Sequence, residues 1–222
     1  MDTIVVGDLH GRSEVLHMVE PYLSTHRVVF VGDYIDSFDR TTGEQVQVLL
    51  TVLDWCDNEE YNVTALMGNH ERSYVFDERC SGYSIAMAAH IVHLKERMLR
   101  TLKEYTYVGD YLVTHAGVSQ ALLNVLDMSL QEYLEAGKFE GVGYARGGNY
   151  PVGGLYWCDW FKEFGEIPNQ PQIVGHSGYR PSGYKKGIIS KGNSFNIDCF
   201  EHCYEVLVVS ESGAETLKLE AT

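Results

Sequence analysis

Apolar residues recur along this chain with two periods. Residues 3–7 (TIVVG) and 27–31 (RVVFV) are short β-branched runs that predict buried strands, the second covered on both faces. Residues 62–66 predict a third strand. Between them, residues 13–24 carry Val15, Leu16, Val19, Tyr22 and Leu23 on one side of a helix that Ser13 could cap. Residues 42–56 repeat the pattern with Val46, Leu49, Leu50 and Leu53. The order β-α-β-α-β argues for a parallel sheet with right-handed crossovers.

Further along, residues 84–103 predict one long amphipathic helix with Ile85, Ala88, Ala89, Val92 and Leu99 inward. Residues 105–108 and 111–114 flank Gly109-Asp110, a two-residue hairpin signal. Residues 119–136 are helical, and a capping box at Ser129 and Glu132 marks a second helix start. Residues 137–154 are rich in glycine and read as an irregular loop. The last third predicts strands at 172–174, 187–190, 195–198, 204–209 and 215–219, with turns at Lys191-Gly192-Asn193 and Ser212-Gly213. No repeat or linker divides the chain. The fold expected is α/β: a central mixed β-sandwich flanked by α-helices, as one domain over residues 1–222.

Polar residues with ligating chemistry stand where the strands run out. The stretches are GDLHGR (7–12), GDYIDSFDR (32–40), GNHER (68–72), VTHAG (113–117) and VGH (174–176). The carboxyl ends of parallel strands are where open α/β sheets bind ligands. Asp8, His10, Asp33, Asn69, His115 and His176 together offer carboxylate, amide and imidazole donors and no thiolate. That set suits Mn²⁺, Fe or Zn²⁺. Six donors exceed one tetrahedral ion and suit two ions about 4 Å apart, bridged by a carboxylate and a water. Asp33 is the candidate bridge.

These five motifs, in this order and covering residues 4 to 210, resemble the signature of the calcineurin-like metallophosphoesterases. More narrowly they resemble the phosphoprotein-phosphatase type, in its compact bacterial and phage forms. The resemblance implies a four-layer metallophosphoesterase fold and a phosphoester hydrolase. It places Asp8 and His10 on one metal, Asp33 between the two, and Asn69, His115 and His176 on the other. It makes His70 the general acid, paired with Asp36, and a water between the metals the nucleophile. A proton donor near neutral pKa suits the departure of an alkoxide, and imidazole is that donor.

Two departures from the pattern concern the substrate. The pattern's arginine after the second aspartate of GDYID is Ser37 here, and the arginine before GNHE is Met67. Such arginines grip phosphate oxygens bidentately. Arg40, Arg146 in the glycine-rich loop and Arg180 are the candidate replacements. The segment GGLYWCDW (153–160) resembles the LWxD stretch of the family; there Trp157 is expected to pack beneath the site, with Asp159 as a further substrate contact. The substrate stays open between a phosphorylated protein, a small phosphoester and a nucleotide such as a symmetrical diadenosine polyphosphate. A non-catalytic, metal-stabilised binding module is a third reading, which the full set of ligands and acid disfavours.

Charge narrows the partners. Lys and Arg number 17 against 31 Asp and Glu, a net charge of −14, which disfavours a nucleic-acid backbone or an anionic membrane. No secretory pattern opens the chain, and the longest apolar stretch, residues 85–94, is too short to span a bilayer. Five scattered cysteines without a CxxC pair fit reduced thiols and a cytoplasmic location. His90 and His93, three apart on a helix, read as a solvated face.

Overall fold

A computed structural model describes residues 1–139, 141–178 and 186–220. Two five-stranded sheets form its centre. The first has the order β10-β9-β1-β2-β3, with β1 Thr3–Val6, β2 Arg27–Phe30, β3 Val63–Ala65, β9 Glu205–Ser210 and β10 Gly213–Lys218. The strands β1, β2 and β3 run parallel, and β9 and β10 add antiparallel strands at the β1 edge. The second sheet has the order β4-β5-β6-β8-β7: β4 Tyr105–Val108, β5 Tyr111–Thr114, β6 Gln172–Val174, β7 Ile189–Lys191 and β8 Ser194–Asn196. Here β5, β6 and β8 are parallel, and the Gly109-Asp110 hairpin joins β4 to β5 as the sequence predicts.

Side-chain alternation sorts the strands between two interiors. Val5, Val29 and Val31 of the first sheet meet Val113 and Ile173 of the second in the layer between the sheets. Ile4, Val6, Val28 and Phe30 point the other way, onto the helices α1 (Ser13–Val19) and α2 (Thr42–Asp57). The apolar run of β2 is thus buried on both faces. The outer side of the second sheet is covered around Ala116, Trp160 and Phe164. Layers of helix, sheet, sheet and outer cover make up the expected architecture.

Local differences from the sequence reading have physical causes. Ser13 does not cap α1: Arg12 takes the N-cap position and no side chain caps it. The helix gives way to a 3-10 turn over Glu20–Tyr22, because Pro21 lacks the N–H that would continue it. In α2, Thr41 and Glu44 form a full capping box. The 84–103 segment is not one helix. It comprises α3's successors: α3 itself is Asn69–Val75, then come α4 Ile85–Ile91, a 3-10 turn Val92–Leu94, and α5 Lys95–Thr101. Its buried stripe is Met87, Ile91, Leu94 and Met98, while Ile85, Val92 and Leu99 are exposed. The stripe is one residue out of phase with the expected one, since the methionines were not counted among its anchors. The helices α6 Gln120–Leu126 and α7 Leu130–Ala136 divide at Ser129, whose capping box with Glu132 is present.

The phase correction has a direct test. Met98 is 0% exposed and Leu99 52%. Met98→Ala is expected to lower unfolding free energy by about 2–5 kcal/mol and Leu99→Ala by no more than about 0.5 kcal/mol, measured by urea denaturation. Equal losses at both positions would contradict the burial pattern.

Candidate active site

The carboxyl ends of β1, β2, β3, β5 and β6 converge, and each delivers one of the sequence motifs. Asp8 follows β1, Asp33 follows β2, and Asn69 opens α3 after β3. His115 directly follows β5, and His176 follows β6. His10, Asp33, Asp36 and His176 hold positive φ of 42°, 54°, 63° and 66°. This left-handed backbone costs side-chain-bearing residues about 1–2 kcal/mol each. Hydrogen bonds hold it: Leu9 and His10 donate backbone N–H groups to the Asp33 carbonyl, and Gly11 donates to that of Tyr34. Glu71, fully buried, accepts from the backbone N–H groups of Asp33, Tyr34 and Gly68 at 2.9, 2.8 and 3.1 Å. It thereby ties the loop after β2 to the turn after β3, and burial together with Asp33 pushes its carboxyl up to about 7.

Asp33 stands at the centre. Its Oδ2 lies 3.9 Å from His10 Nε2, 3.9 Å from His70 Nε2 and 3.3 Å from His115 Nε2. Its Oδ1 accepts the backbone N–H of His70 at 3.1 Å. Two histidines have their tautomer set from behind: His10 Nδ1 donates to the Ile35 carbonyl at 2.9 Å, and His115 Nδ1 to the Val31 carbonyl at 3.0 Å. Both Nε2 lone pairs therefore face inward. Asn69 Oδ1 lies 2.8 Å from His115 Nε2 and 2.9 Å from His176 Nδ1. On the other side, Asp8 Oδ2 accepts the backbone N–H of His176 at 2.8 Å, while the buried Asp8 Oδ1 has no hydrogen-bond partner.

This donor set fits divalent cations. Around His115 Nε2, with its proton on Nδ1, a lone pair meets two oxygen acceptors and no donor. An orphaned carboxylate oxygen on Asp8 adds a further acceptor. Burial, then the charges of Asp198 and Asp33, hold the Asp8 carboxyl well above its usual range. A Cβ on Gly175 would sit 2.0 Å from Asp8 Oδ1, and one on Gly68 would sit 2.1 Å from Asp33 Oδ1, so both motif glycines are required by close approach.

Beside this cluster, His70 Nδ1 is hydrogen-bonded to Asp36 Oδ2 at 2.8 Å, and the Tyr74 hydroxyl donates to Asp36 Oδ1 at 2.5 Å. Burial pulls the His70 pKa down, but the Asp33 charge and the Asp36 hydrogen bond outweigh it and leave His70 well above its ordinary value. Burial, followed by the nearby Arg146 charge, holds His176 well below. Trp157 packs edge-on against His176, ring centroids 5.6 Å apart, as the sequence suggests.

The three candidate arginines separate. Arg146 Nη2 donates to the Ser177 hydroxyl at 3.0 Å and lies 3.4 Å from the His176 carbonyl, with its Nε 3.0 Å from Asp159 Oδ2. It is therefore at the site, and Asp159 orients it rather than facing the centre. Arg40 is paired with Glu14: its Nη2 donates to Glu14 Oε1 at 2.7 Å. Arg180 lies outside the described residues. Sequence reasoning missed Arg12, which lines the cavity that His10, Asp36 and His70 also line. Its adjacency to GDLHG was the available signal. Tyr74 and Cys80 were also missed; Cys80 Sγ lies 3.6 Å from His70 Nδ1. Nothing in the chain order places either beside the acid pair.

Comparisons with known proteins bear on the fold and the family. A search of curated proteins finds no match. Among solved structures, the cold-active protein-tyrosine phosphatase of the psychrophile Shewanella sp. superposes with a TM-score of 0.63 at 14% identity, over 99% of this chain and 80% of that one. A protein serine/threonine phosphatase from Saccharomyces cerevisiae superposes at 0.62 and 17% identity, over 100% and 80%. A protein assigned as a diadenosine tetraphosphatase superposes at 0.55 and 13%, over 100% and 95%. At such identities these likenesses establish the fold. The family profile for calcineurin-like phosphoesterases matches residues 1–195, so this chain belongs to the calcineurin-like phosphoesterase family, metal-binding enzymes that hydrolyse phosphoric esters.

Proposed function

We propose that this enzyme is a two-metal phosphomonoesterase of the serine/threonine phosphoprotein-phosphatase type. The observation that carries the reading is the position of Asp33 Oδ2, within 3.3–3.9 Å of three inward imidazole nitrogens from different loops. One carboxylate there serves two ligand sets: Asp8 and His10 on one side, and Asn69, His115 and His176 on the other. Two divalent ions, Mn²⁺ before Fe or Zn²⁺ on the oxygen-and-imidazole donor set, supply an activated water and neutralise phosphoryl oxygens when bound.

The chain's own residues do the rest. His10 and His115 are locked by backbone carbonyls, so both ligand sets are preorganised. His70 donates its Nδ1–H to Asp36, so the second proton of the imidazolium sits on Nε2, the nitrogen on the Asp33 side. That proton is delivered to the leaving oxygen, and Asp36 stabilises the imidazolium until then. Arg146, oriented by Asp159, faces the substrate phosphate from the His176 side. No covalent enzyme intermediate is required. The five free cysteines support a reducing, cytoplasmic setting, and no described helix is long and apolar enough to cross a membrane.

A second reading keeps this chemistry and changes the substrate to a dinucleoside polyphosphate. The absence of arginine at Ser37 and Met67 favours it, since the phosphoprotein pattern has both. One experiment addresses the two. Metal-stripped enzyme is reloaded with Mn²⁺ and assayed on an aryl phosphate, phosphopeptides and dinucleoside polyphosphates. Hydrolysis of the aryl phosphate and phosphopeptides that disappears in excess chelator is expected. Full activity in chelator would overturn the metal-dependent reading, and turnover confined to dinucleoside polyphosphates would select the alternative.

A further inference from the structure

Two grooves flank the clustered ligands and share Ser81 between them. One, about 510 Å³, holds Arg146 and Trp157. The other, about 410 Å³, is lined by His10, Asp36 and His70, and also by Arg12, Phe38 and Glu201. The acid pair therefore opens onto the second groove, where Arg12 supplies the cation.

The state of Arg12 is unlike that of its neighbours. Arg40 is paired with Glu14, Arg72 with Glu78 and Arg146 with Asp159. Arg12 is only 8% exposed, yet among the described residues it forms no ion pair. Its recorded hydrogen bond is a long one, from Nη1 to the Leu9 carbonyl at 3.4 Å. A guanidinium carries five N–H donors in a fixed fork, and the Arg12 charge reaches the exposed Asp39 across the same cavity without an ion pair between them. The loop that carries it is rigid: Leu9 and His10 are tied to the Asp33 carbonyl, and Arg12 N–H donates to the Leu9 carbonyl at 2.9 Å.

We propose that Arg12 binds the phosphoryl group of the substrate, supplying from the GDLHGR loop the oxygen contacts that Ser37 and Met67 cannot make. The proposal rests on the phosphomonoesterase reading above. The phosphoryl group, rather than a distant part of the substrate, is its ligand because Arg12 lines the same groove as His10 and the His70–Asp36 pair. Arg12 and Arg146 then approach the phosphate from opposite grooves, one on the His10 side and one on the His176 side.

The test uses Mn²⁺-loaded full-length enzyme and its variants Arg12→Lys, Arg12→Gln and Arg12→Ala. Inorganic phosphate binding is measured by calorimetry. KM is measured for aryl phosphates whose leaving groups are neutral or carry a carboxylate. Bound metal is counted by elemental analysis. Arg12→Ala and Arg12→Gln are expected to weaken phosphate binding and raise KM by about 10–100-fold for both substrate types, the scale of lost hydrogen bonds to a charged group. Arg12→Lys should fall between, metal content should hold, and added guanidinium should restore part of the Arg12→Ala loss. Unchanged phosphate affinity in the metal-loaded variants overturns the proposal. So does a loss confined to carboxylate-bearing leaving groups, or a loss of bound metal that accounts for the whole effect. A wild-type enzyme inert with Mn²⁺ sinks the phosphomonoesterase reading instead, while the calorimetric comparison still decides on Arg12.

Discussion

Asp33→Asn is expected to remove essentially all metal-dependent turnover, lowering kcat/KM for an aryl phosphate by about 10³-fold or more. The substitution keeps the shape of the side chain and its Oδ1, so the hydrogen bond from the His70 backbone at 3.1 Å can persist. What it deletes is one negative charge at the meeting point of His10, His70 and His115. A unit charge pair at about 4 Å is worth roughly 4 kcal/mol at an effective dielectric near 20, and each 1.4 kcal/mol is tenfold in rate. In the proposed bridging role the carboxylate would serve two cations, which sets the loss at that size or above. Metal analysis should show fewer than two ions per chain, with circular dichroism unchanged. A variant that keeps both ions and more than a tenth of wild-type activity would remove Asp33 from the bridging role.

The same position shows what the sequence makes legible. The apolar runs at 3–7 and 27–31 and the polar residues after them place five loops at one end of two sheets, because parallel strands bring their carboxyl ends together. Local motifs then become a cluster without any long-range information. The capping box at Ser129 and the hairpin at Gly109-Asp110 are equally local and are equally readable. The phase of the 84–103 helices is not, because Met87 and Met98 anchor it where α4 and α5 pack against α2. Nor is the strain at His10, Asp33, Asp36 and His176: positive φ there is imposed by hydrogen bonds between loops far apart in the chain.

The arginines divide along the same line. Arg40 and Arg146 are similar in sequence, each lying beside a motif or a glycine-rich loop. Glu14, 26 positions away, captures Arg40 at 2.7 Å, whereas Asp159 holds Arg146 beside His176. Each is placed by an ion pair to a residue distant in the chain or held in another loop, and no local pattern reports which carboxylate that is. Arg12 is not singled out by its motif, whose ligating residues precede it, and only the fold brings it to the cavity lined by His10, Asp36 and His70.

His70→Asn is expected to lower kcat/KM by about 10²–10⁴-fold for substrates with alkoxide leaving groups while leaving bound metal unchanged. The geometry accounts for both halves. His70 Nε2 lies 3.9 Å from Asp33 Oδ2, beyond a hydrogen bond, and its Nδ1–H donates to Asp36 at 2.8 Å, a bond that favours the imidazolium, whose second proton on Nε2 is the one the proposed acid role would transfer. Tyr74 donates to the other Asp36 oxygen, and the Ser84 backbone N–H donates to the Tyr74 hydroxyl at 2.9 Å, fixing the carboxylate behind the ring. Since the proton matters in proportion to the basicity of the leaving oxygen, the deficit should shrink steadily as leaving-group pKa falls across a series of aryl phosphates. A deficit of constant size across that series would assign His70 to phosphate binding and not to proton delivery. The sign of the pH effect follows from the same bond. Asp36 helps hold His70 above its ordinary pKa, and the active form is the protonated one, so activity declines as pH rises through that pKa. Removing the Asp36 charge in Asp36→Asn should therefore move the alkaline limb of the kcat/KM profile to lower pH.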